Sequence, residues 1–584
     1  MTTSTMVPAA DEMMRVLEEW GVKRIYGLPG GSLDSTMNSI HTYRDHIDYI
    51  GVRHEEFGSL AAVAEAKITG RIGVMLGSAG PGAAHLVNGL YDAKMDNIPV
   101  LAIVGQVPSS RMNLDFFQEL PENPMFADAT VYNRTIMTAE QLPLVIDTAI
   151  RTAYAKRGPA VVVLPKDLGW EKIEQGAYPV SANVQSQQDV TYNIPAENIE
   201  RALDILTSAK RPVIYFGQGA RKAGKELLEA ADMLGAPLMS TYLAKGIIAH
   251  DTESYMISTG RVATKPSVDT GRSADAVLFI GTNYEFGEFF FRPDATFIDV
   301  NINPIVLGAR HAAKLGFQAD AQQFLTALIE AGHKRGLTST DTPWLAAAKE
   351  NRAQWEAWIT EHTTDESPIR LETVFNEINK VTTDDALFGI DVGNVNIASA
   401  RFLKINPGQQ FTTSPLYATM GYGLPAAVAG SLEYPQRQAW NLAGDGAAAM
   451  VIQGLTTATE HHLPIISVVL SNESLGYIEA EQDDTNQPHS GIKLSGLDFA
   501  KIAEGFGVAG ITVRNTDELR AALAKAKDTT EPILIDVKVT NDRLLPVEQF
   551  PQSRDERIDF DEFRAAYDAE KLEPFGEILA RHQA

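Results

Sequence analysis

The chemistry that this sequence suggests first is the binding of a magnesium ion together with a diphosphate. Asp445 lies between Gly444 and Gly446, after an apolar run and before residues of helical character. Asn472 follows the next apolar run, at residues 465–470. The two glycines let a phosphate approach the backbone, and carboxylate and amide oxygens are what Mg²⁺ takes when it also keeps phosphate oxygens. The pairing of Asp445 with Asn472 favours such a site over an ordinary glycine-rich turn.

These residues need strands to position them, and the sequence supplies strands that alternate with helices. Apolar runs recur through the N-terminal region at residues 25–27, 47–52, 72–76, 100–104 and 160–164. Strand, glycine turn, helix and strand in this order form a doubly wound parallel sheet, in which ligands bind at the carboxyl ends of the strands. We therefore predict an α/β fold with buried parallel strands.

The chain of 584 residues is too long for one hydrophobic core, and its composition changes twice along its length. Residues 179–192 are polar without periodicity, and residues 336–368 are polar and helical, which is typical of linkers and boundaries. We predict an N-terminal domain at 1–183, a central domain at 193–335, a C-terminal domain at 369–545 and a helical tail at 546–584.

The N-terminal and C-terminal domains are interpreted as copies of one unit. Gly89 to Pro99 and Gly454 to Pro464 are both ten residues apart, and each pair stands between a glycine turn and a strand. Two related domains on either side of a third suggest a ligand held between the pair. Convergent spacing is the alternative, because α/β units of this kind are common.

Charge and composition exclude several classes of partner. The net charge of -25 argues against nucleic acid and against an anionic membrane surface, since both require a basic face. The absence of cysteine removes disulfides, thiolate catalysis and cysteine-ligated metal. The first residues do not resemble a signal peptide and no apolar run could span a bilayer, so we expect a cytoplasmic protein without a membrane partner.

Several motifs carry a resemblance that covers nearly the whole chain. They are Tyr-Gly-Leu-Pro-Gly-Gly-Ser at 26–32, Val-Arg-His-Glu-Glu-Phe-Gly at 52–58, Gly-Ser-Ala-Gly-Pro-Gly at 77–82, Asp-Phe-Phe-Gln-Glu at 115–119, Tyr-Ala-Thr-Met-Gly at 417–421 and Glu-Gln-Asp-Asp-Thr-Asn at 481–486. With the glycine turn, they resemble the thiamine-diphosphate-dependent decarboxylase superfamily and, within it, the phosphate-dependent pyruvate oxidases. The resemblance implies three doubly wound parallel-sheet domains, in which two related thiamine-diphosphate-binding domains flank a flavin-binding domain. It implies thiamine diphosphate, Mg²⁺ and FAD as cofactors.

The resemblance also implies a role for each candidate residue. Glu55 would bond the aminopyrimidine ring and relay a proton, although alone it is an acid in the first turn of a helix. His85 and Gln118 would contact the substrate, and Phe117, Ile478 and Glu481 would complete the pyruvate pocket. The thiamine diphosphate residues would be Gly31, Ser32, Ser78, Gly393, Met420, Gly444, Gly446, Ala447, Gly476 and Tyr477, and the metal ligands would be Asp445, Asn472 and Ser474. The flavin residues would be Gly217, Gly219, Arg221, Ser240, Thr241, Arg261, Gly281, Asn283, Phe286, Asn301 and Asp320.

A few positions depart from the pattern of the pyruvate oxidases. Asn301 and Asn303 stand where Asp is usual, Tyr477 where Phe is common, and Glu473 where a second Asn is frequent. Residues 287–292 do not match the family well, so the loop on the flavin side is expected to differ.

The function that the resemblance implies is the oxidative decarboxylation of pyruvate. Pyruvate, phosphate and O₂ would give acetyl phosphate, CO₂ and H₂O₂ through a thiamine carbanion and FAD, in a homo-oligomer that is at least a dimer and commonly a tetramer. The alternatives are a carboligase of the acetolactate synthase type, a quinone-linked pyruvate dehydrogenase and an inactive scaffold. Intact Glu55, Asp445 and Asn472 argue against the scaffold.

Overall fold

The computed structural model describes residues 5–180, 190–283, 290–546 and 560–583. Within these residues the chain forms three α/β units, each built on a parallel sheet of six strands. The predicted α/β class with three doubly wound domains is confirmed. The three sheets lie inside the predicted domain ranges, whereas the boundaries themselves stay predictions.

The N-terminal sheet has the strand order β3-β2-β4-β5-β7-β6. Its strands are β2 Arg24–Gly27, β3 Asp48–Gly51, β4 Gly73–Gly77, β5 Val100–Gln106, β6 Tyr132–Thr135 and β7 Pro159–Pro165, while β1 Met6–Pro8 and β8 Lys172–Glu174 pair separately and antiparallel. Its helices are α1 Ala9–Glu19, α2 Asp34–Thr42, α3 Glu55–Thr69, α4 Pro81–His85, α5 Val87–Met95, α6 Glu122–Phe126 and α7 Leu142–Lys156. Every residue of β5 and β7 is buried, as expected for strands covered by helices on both faces.

The central sheet has the order β11-β10-β9-β12-β13-β14. Its elements are α8 Ala196–Ser208, β9 Pro212–Phe216, α9 Gly224–Leu234, β10 Leu238–Ser240, β11 Tyr255–Ser258, α10 Lys265–Ser273, β12 Ala276–Ile280, β13 Thr296–Asn301, β14 Ala313–Gln318 and α11 Ala321–Lys334. Counted within the domain, this is the order 3-2-1-4-5-6 of dinucleotide-binding folds, in which ligands bind where the strand order reverses.

The C-terminal sheet has the order β16-β15-β17-β18-β20-β19. Its strands are β15 Leu387–Ile390, β16 Gln410–Thr412, β17 Ala439–Gly444, β18 Ile465–Ser471, β19 Ala509–Val513 and β20 Ile533–Lys538. Its helices are α13 Leu371–Asn379, α14 Asn394–Phe402, α15 Gly423–Glu433, α16 Asp445–Val451, α17 Leu455–Glu460, α18 Gly476–Asp484, α19 Phe499–Gly505 and α20 Thr516–Ala526. Counted within each domain, the N-terminal and C-terminal sheets share the order 2-1-3-4-6-5, which supports their interpretation as two copies of one unit.

Contacts between domains fix the relative position of these sheets. Lys67 of α3 is almost fully buried, pairs with Asp92 and Asp96 at 2.7 Å each, and donates to the carbonyl of Thr413 at 2.9 Å. It thereby joins the N-terminal domain to the C-terminal one.

The segment between the central and C-terminal domains forms a helix of its own, α12 Pro343–Glu361. The tail contributes α21 Phe560–Ala569 and α22 Phe575–Gln583, and Phe575 meets Trp344 of α12 edge-on at 5.8 Å. Among the described residues, no helix combines the length and the apolar character needed to cross a membrane.

Candidate functional site

The glycine turn joins β17 directly to α16 and holds a buried carboxylate. Asp445 is 8% exposed, and its oxygens accept the backbone N–H of Gly446 at 2.9 Å and of Glu473 at 2.8 Å. Burial raises the pKa of Asp445, against the opposing effect of these amides and of Lys538. The bond to Glu473 draws the end of β18 against the glycine turn, so that Asp445 and Asn472 lie on adjacent loops as predicted.

Asn472 belongs to a cluster of amide side chains at the carboxyl ends of the strands. Its Nδ2 donates to Asn541 Oδ1 at 2.7 Å, and its Oδ1 accepts the Ser474 N–H at 3.2 Å. A Cβ atom placed on Gly476 would lie 2.6 Å from Asn394 Nδ2 and 3.1 Å from Asn472 Nδ2. A side chain at Gly476 would therefore collide with these amide side chains, at the point where α18 begins.

The donor set at this edge fits a magnesium ion that shares its ligands with a phosphate. Asp445 offers a desolvated carboxylate and Asn472 an amide oxygen, both hard ligands. No group of three or more His, Cys, Asp or Glu residues suited to a metal occurs in the described part of the chain, so the remaining ligands would have to come from main chain, water or phosphate. The hydroxyl of Ser474 donates to Glu479, which leaves its main-chain oxygen as the group for a metal.

Met420 and Gly393 lie at the same edge of the C-terminal sheet as the glycine turn, and the space beside them is named the candidate cofactor groove. The terminal methyl of Met420 lies 3.3 Å from the position of a Cβ on Gly446. Gly393 and Gly444 have open space where a side chain would stand, and Ala447 is buried beneath. The predicted diphosphate residues and Met420 are thus brought together on one edge of the C-terminal sheet.

A second cluster surrounds the glycine turn that follows β4. Glu55 begins α3, is 7% exposed and places its Oε2 2.8 Å from His85 Nδ1, while the His85 ring stacks on His54 at 4.3 Å. Ser32 Oγ lies 3.0 Å from Ser78 Oγ and accepts the Ala79 N–H at 2.8 Å.

Gln118 packs on this turn as well. Gly80 has a φ of +73°, and a Cβ there would lie 2.9 Å from the carbonyl oxygen of Gln118. Only glycine permits both the backbone conformation and this close approach. The structure therefore places Glu55, His85 and Gln118 around the same turn as the serine pair. Gly31 precedes Ser32, and no atom lies within 4 Å of the position of a Cβ on Gly31.

The loop that carries Phe117 and Gln118 is held in a strained shape. Asn113, Asp115 and Gln118 all have positive φ, and Phe117 is 77% exposed. Glu119 closes the loop by accepting the N–H groups of Asn113 and Phe116, and these bonds lower its pKa. Sequence reasoning assigned no role to Glu119, although a carboxylate within a run of polar and aromatic residues was visible.

Glu122 was also missed, and it anchors the loop from below. It is 2% exposed, accepts Gln106 Nε2 at 3.1 Å, and the same nitrogen donates to the Leu120 carbonyl at 3.0 Å. Burial raises the pKa of Glu122 to about 8, against the opposing effect of the Gly80 amide. No feature of the sequence distinguishes this glutamate from an exposed one.

The central domain packs its glycines where the strand order reverses. A Cβ on Gly217 would lie 2.5 Å from the Gly281 carbonyl oxygen, and one on Gly219 would lie 2.7 Å from the Gly281 Cα. Arg221 is exposed, yet surrounding protein desolvates its guanidinium and lowers its pKa, and among the described residues no carboxylate offsets this effect. Close backbone approach and a cation without a compensating carboxylate fit the phosphates of a dinucleotide.

Other predicted flavin residues have partners within the protein. Asn301 donates to the Thr282 carbonyl at 3.1 Å, beside Asn283. The hydroxyl of Ser240 lies 2.6 Å from that of Tyr255, and the N–H of Thr241 bonds the Phe216 carbonyl. Asp320 caps α11. These flavin assignments stay predictions, and Phe286 lies outside the described residues.

Arg261 connects the central domain to the C-terminal one. Its guanidinium lies 3.7 Å from a Glu481 carboxylate oxygen and 5.9 Å from the centre of the Tyr477 ring. Ile478, on the same helix, is 41% exposed. The candidate flavin residues and the candidate residues of α18 thus meet at one interface.

The two clusters of the outer domains are not joined directly. Within the described residues, neither Glu55 nor His85 forms a hydrogen bond or ion pair with Asp445 or Asn472. One contact between the two domains lies beside the clusters, where Asn88 Nδ2 donates to Thr419 Oγ1 at 2.8 Å.

Three domain-family models of thiamine pyrophosphate enzymes match this chain. The N-terminal TPP binding domain matches residues 8–125, the central domain matches residues 199–328, and the C-terminal TPP binding domain matches residues 391–537. Each match corresponds to one of the three sheets.

Curated relatives match over nearly the full length. A pyruvate oxidase of Lactiplantibacillus plantarum is 43% identical over 99% of this chain and 96% of its own length. The putative thiamine pyrophosphate-containing protein YdaP of Bacillus subtilis is 38% identical over 92% of both chains. An acetolactate synthase isozyme 3 large subunit of Escherichia coli is 29% identical over 93% of this chain and 94% of its own.

Proposed function

This chain belongs to the thiamine pyrophosphate enzyme family, and we propose that within it the chain is a pyruvate oxidase. Pyruvate, phosphate and O₂ become acetyl phosphate, CO₂ and H₂O₂, and the electron pair released on decarboxylation passes through FAD to O₂. The observation that carries the proposal is the contact of Arg261 with Glu481 at 3.7 Å, because it brings the candidate flavin domain against the candidate substrate pocket. The likeness to a pyruvate oxidase over nearly the whole chain supports it.

The cofactors supply the reactive groups, and the chain supplies position and proton handling. When bound, thiamine diphosphate supplies the carbanion that attacks the keto carbon, and FAD accepts the electron pair. Asp445, Asn472 and the Ser474 carbonyl would hold the magnesium, which would neutralise the diphosphate. Met420 would support the thiamine beside the glycine turn.

Glu55 handles the proton. Its carboxyl is buried at the start of α3 and is oriented by His85, so it can exchange a proton with a ring nitrogen of the aminopyrimidine. His85 and Gln118, placed together by the glycine turn after β4, contact the carboxylate or the acyl group of the substrate.

A pocket closed by Phe117, Ile478 and Glu481 at the proposed subunit interface would favour oxidation over ligation. It would leave room for phosphate or water but little for a second pyruvate. Arg261, beside Glu481, places a cation at the same entrance. The flavin then acts as an electron acceptor.

The active unit is proposed to be a homo-oligomer, at least a dimer and by prediction a tetramer. Candidate site residues Phe117 and Ile478 are 77% and 41% exposed, and Leu114 and Met450 are 62% and 55% exposed. Large apolar side chains exposed next to functional groups are typical of an interface. The N-terminal cluster of one subunit would complete the C-terminal cluster of another. Location in the cytoplasm stays a prediction.

Mixing two inactive variants tests the shared site. Glu55→Gln and Asp445→Asn damage different clusters, so co-refolded or co-expressed mixed dimers should regain part of the activity if each site spans two subunits. Activity that stays at the level of the separate variants would place both clusters of a site in one chain.

Product analysis tests the activity itself. Purified protein with pyruvate, thiamine diphosphate, Mg²⁺, FAD and phosphate should consume O₂ and release peroxide and acetyl phosphate in equal amounts. Acetolactate as the main product would instead identify a carboligase.

A further inference from the structure

A buried carboxylate outside the predicted site accepts hydrogen bonds from the backbone around it. Asp391, at the end of β15, is fully buried and accepts three backbone N–H groups. Its Oδ1 accepts those of Val392 and Gly421 at 2.8 Å each, and its Oδ2 accepts that of Gly423 at 2.9 Å. Burial raises the pKa of Asp391 against the effect of these amides.

Two of these three amides adjoin residues of the candidate cofactor groove. Val392 immediately precedes Gly393, and Gly421 immediately follows Met420. Met420 in turn reaches the glycine turn, since its methyl lies 3.3 Å from a Cβ position on Gly446. The Asp391 side chain therefore links the segment before Gly393 to the segment after Met420.

The segment that carries Met420 needs anchors because its backbone is strained at Ala418, which has a φ of +58°. Gly421 has a φ of +88°, which glycine adopts without strain, and a Cβ there would lie 2.7 Å from a Val451 methyl. Residues in such conformations keep them only where the surroundings fix them.

A second anchor comes from the N-terminal domain. Asn88 Nδ2 donates to Thr419 Oγ1 at 2.8 Å, and the Thr419 N–H donates to Ser414 Oγ at 3.1 Å. Met420 thus lies between a residue held by Asn88 and a residue held by Asp391.

We propose that Asp391 and Asn88 are positioning residues that fix Met420 in the groove and so hold bound thiamine diphosphate in its reactive conformation. The inference rests on the proposed function, and it adds two residues that touch neither cofactor nor substrate. They act through the backbone of residues 419–423, whose conformation determines where the Met420 side chain lies in the candidate cofactor groove.

Asp391→Asn is the direct test. The amide exchanges an acceptor for a donor facing a backbone N–H, so at least one of the three bonds is lost in either orientation. Thiamine diphosphate binding in calorimetry should weaken by about tenfold or more, the loss expected for a hydrogen bond to a charged acceptor. The induced circular dichroism of the bound aminopyrimidine should weaken with it, and Asn88→Ala should show both changes.

The matched control is Asp147→Asn in the N-terminal domain. Asp147 is 2% exposed and accepts bonds from Trp20, Arg151 and Tyr178, so it resembles Asp391 in burial and bonding but has no tie to Met420. This variant should lower the unfolding temperature and leave cofactor binding and dichroism unchanged. Should Asp391→Asn not fold, Asn88→Ala decides alone.

Wild-type binding and dichroism in folded Asp391→Asn, or in Asn88→Ala, would overturn the proposal. Equal losses in Asp147→Asn would do so as well, because they would mark a general effect of stability. A parent protein that binds no thiamine diphosphate would contradict the proposed function instead.

Discussion

Individual carboxylates in this chain differ in what surrounds them, and the surroundings decide what each can do. Asp445 is desolvated at a strand end, on a loop adjacent to the one that carries Asn472, which suits a metal. Glu55 is desolvated and faces a histidine, which suits proton transfer. Glu119 is partly exposed and takes backbone amides, which suits holding a loop.

Asp445→Asn should weaken binding of thiamine diphosphate in the presence of Mg²⁺ by roughly tenfold or more, because the metal loses its charged protein ligand. Isothermal titration calorimetry measures the effect. Glu473→Gln is the matched control, since Glu473 is an exposed carboxylate beside Asn472 and should leave binding unchanged. Unaltered affinity in Asp445→Asn would place the diphosphate elsewhere.

Glu55→Gln should slow the exchange of the thiamine C2 hydrogen with deuterium by roughly a hundredfold or more, because the amide keeps the shape but cannot relay a proton. The exchange is followed by NMR after acid quench. Glu65→Gln serves as the control, because Glu65 is buried on the same helix and accepts the Tyr26 hydroxyl instead. An unchanged exchange rate would remove Glu55 from the proton path.

Residues at strand ends could be predicted from the sequence, whereas residues that act through packing could not. Asp445 and Asn472 follow consecutive strands, and the ends of adjacent parallel strands must meet. The bond between Glu55 and His85 and the hold of Asp391 on Gly421 join residues about thirty positions apart in the chain. Spacing alone does not reveal such contacts.

At the scale of elements, the loop at residues 113–119, which carries Phe117 and Gln118, has an unusual backbone. It combines positive φ at three non-glycine residues with a buried acid beneath it, Glu122. Such a loop stays in place because Glu119 closes it and because Gln106 and Glu122 hold its base. Its position is therefore sensitive to the charge of Glu122.

Stability should fall as the pH rises towards 8, in part through Glu122. Its pKa is raised to about 8 in the folded protein from an ordinary value of 4.5, so the unfolded chain releases this proton first. Protonated Glu122 contributes its full share to the free energy of unfolding below pH 4.5. This contribution, on the order of a few kcal/mol, is lost as the pH rises through 8. Unfolding temperatures between pH 6 and 8.5 should decline more steeply in the parent than in Glu122→Gln.

Glu119→Gln is the control for this measurement. The pKa of Glu119 is lowered by the amides of Phe116 and Asn113, so its charge does not change in that range. The variant should keep the slope of the parent. If Glu122→Gln also keeps that slope, Glu122 does not carry the pH dependence.

Central strands were predictable, whereas of the edge strands β3 was predicted by the run at 47–52 and β6 and β14 were not. The apolar runs at 100–104 and 160–164 became β5 and β7, because strands buried on both faces must be apolar throughout. The edge strand β6 has no fully buried residue, and β14 alternates exposed and buried ones, so neither shows such a run. Loop strain has no signature in composition at all.

At the scale of the whole molecule, the outer domains repeat one strand order, and in the proposed function each supplies one half of the site. The N-terminal copy carries Glu55, the candidate proton relay, and the C-terminal copy carries Asp445 and Met420. The central sheet has a different order, that of dinucleotide-binding folds, and reaches the C-terminal copy through Arg261. How subunits assemble around these halves could not be predicted from spacing, because it depends on which surfaces meet.

The most direct test of the account is the redox state of the flavin when pyruvate is added without oxygen. Protein reconstituted with thiamine diphosphate, Mg²⁺ and FAD should lose the visible absorption of oxidised flavin within a turnover, and Glu55→Gln should lose it far more slowly. Admitted air should restore the absorption with release of peroxide. Flavin that stays oxidised while acetolactate accumulates would contradict the assignment as an oxidase.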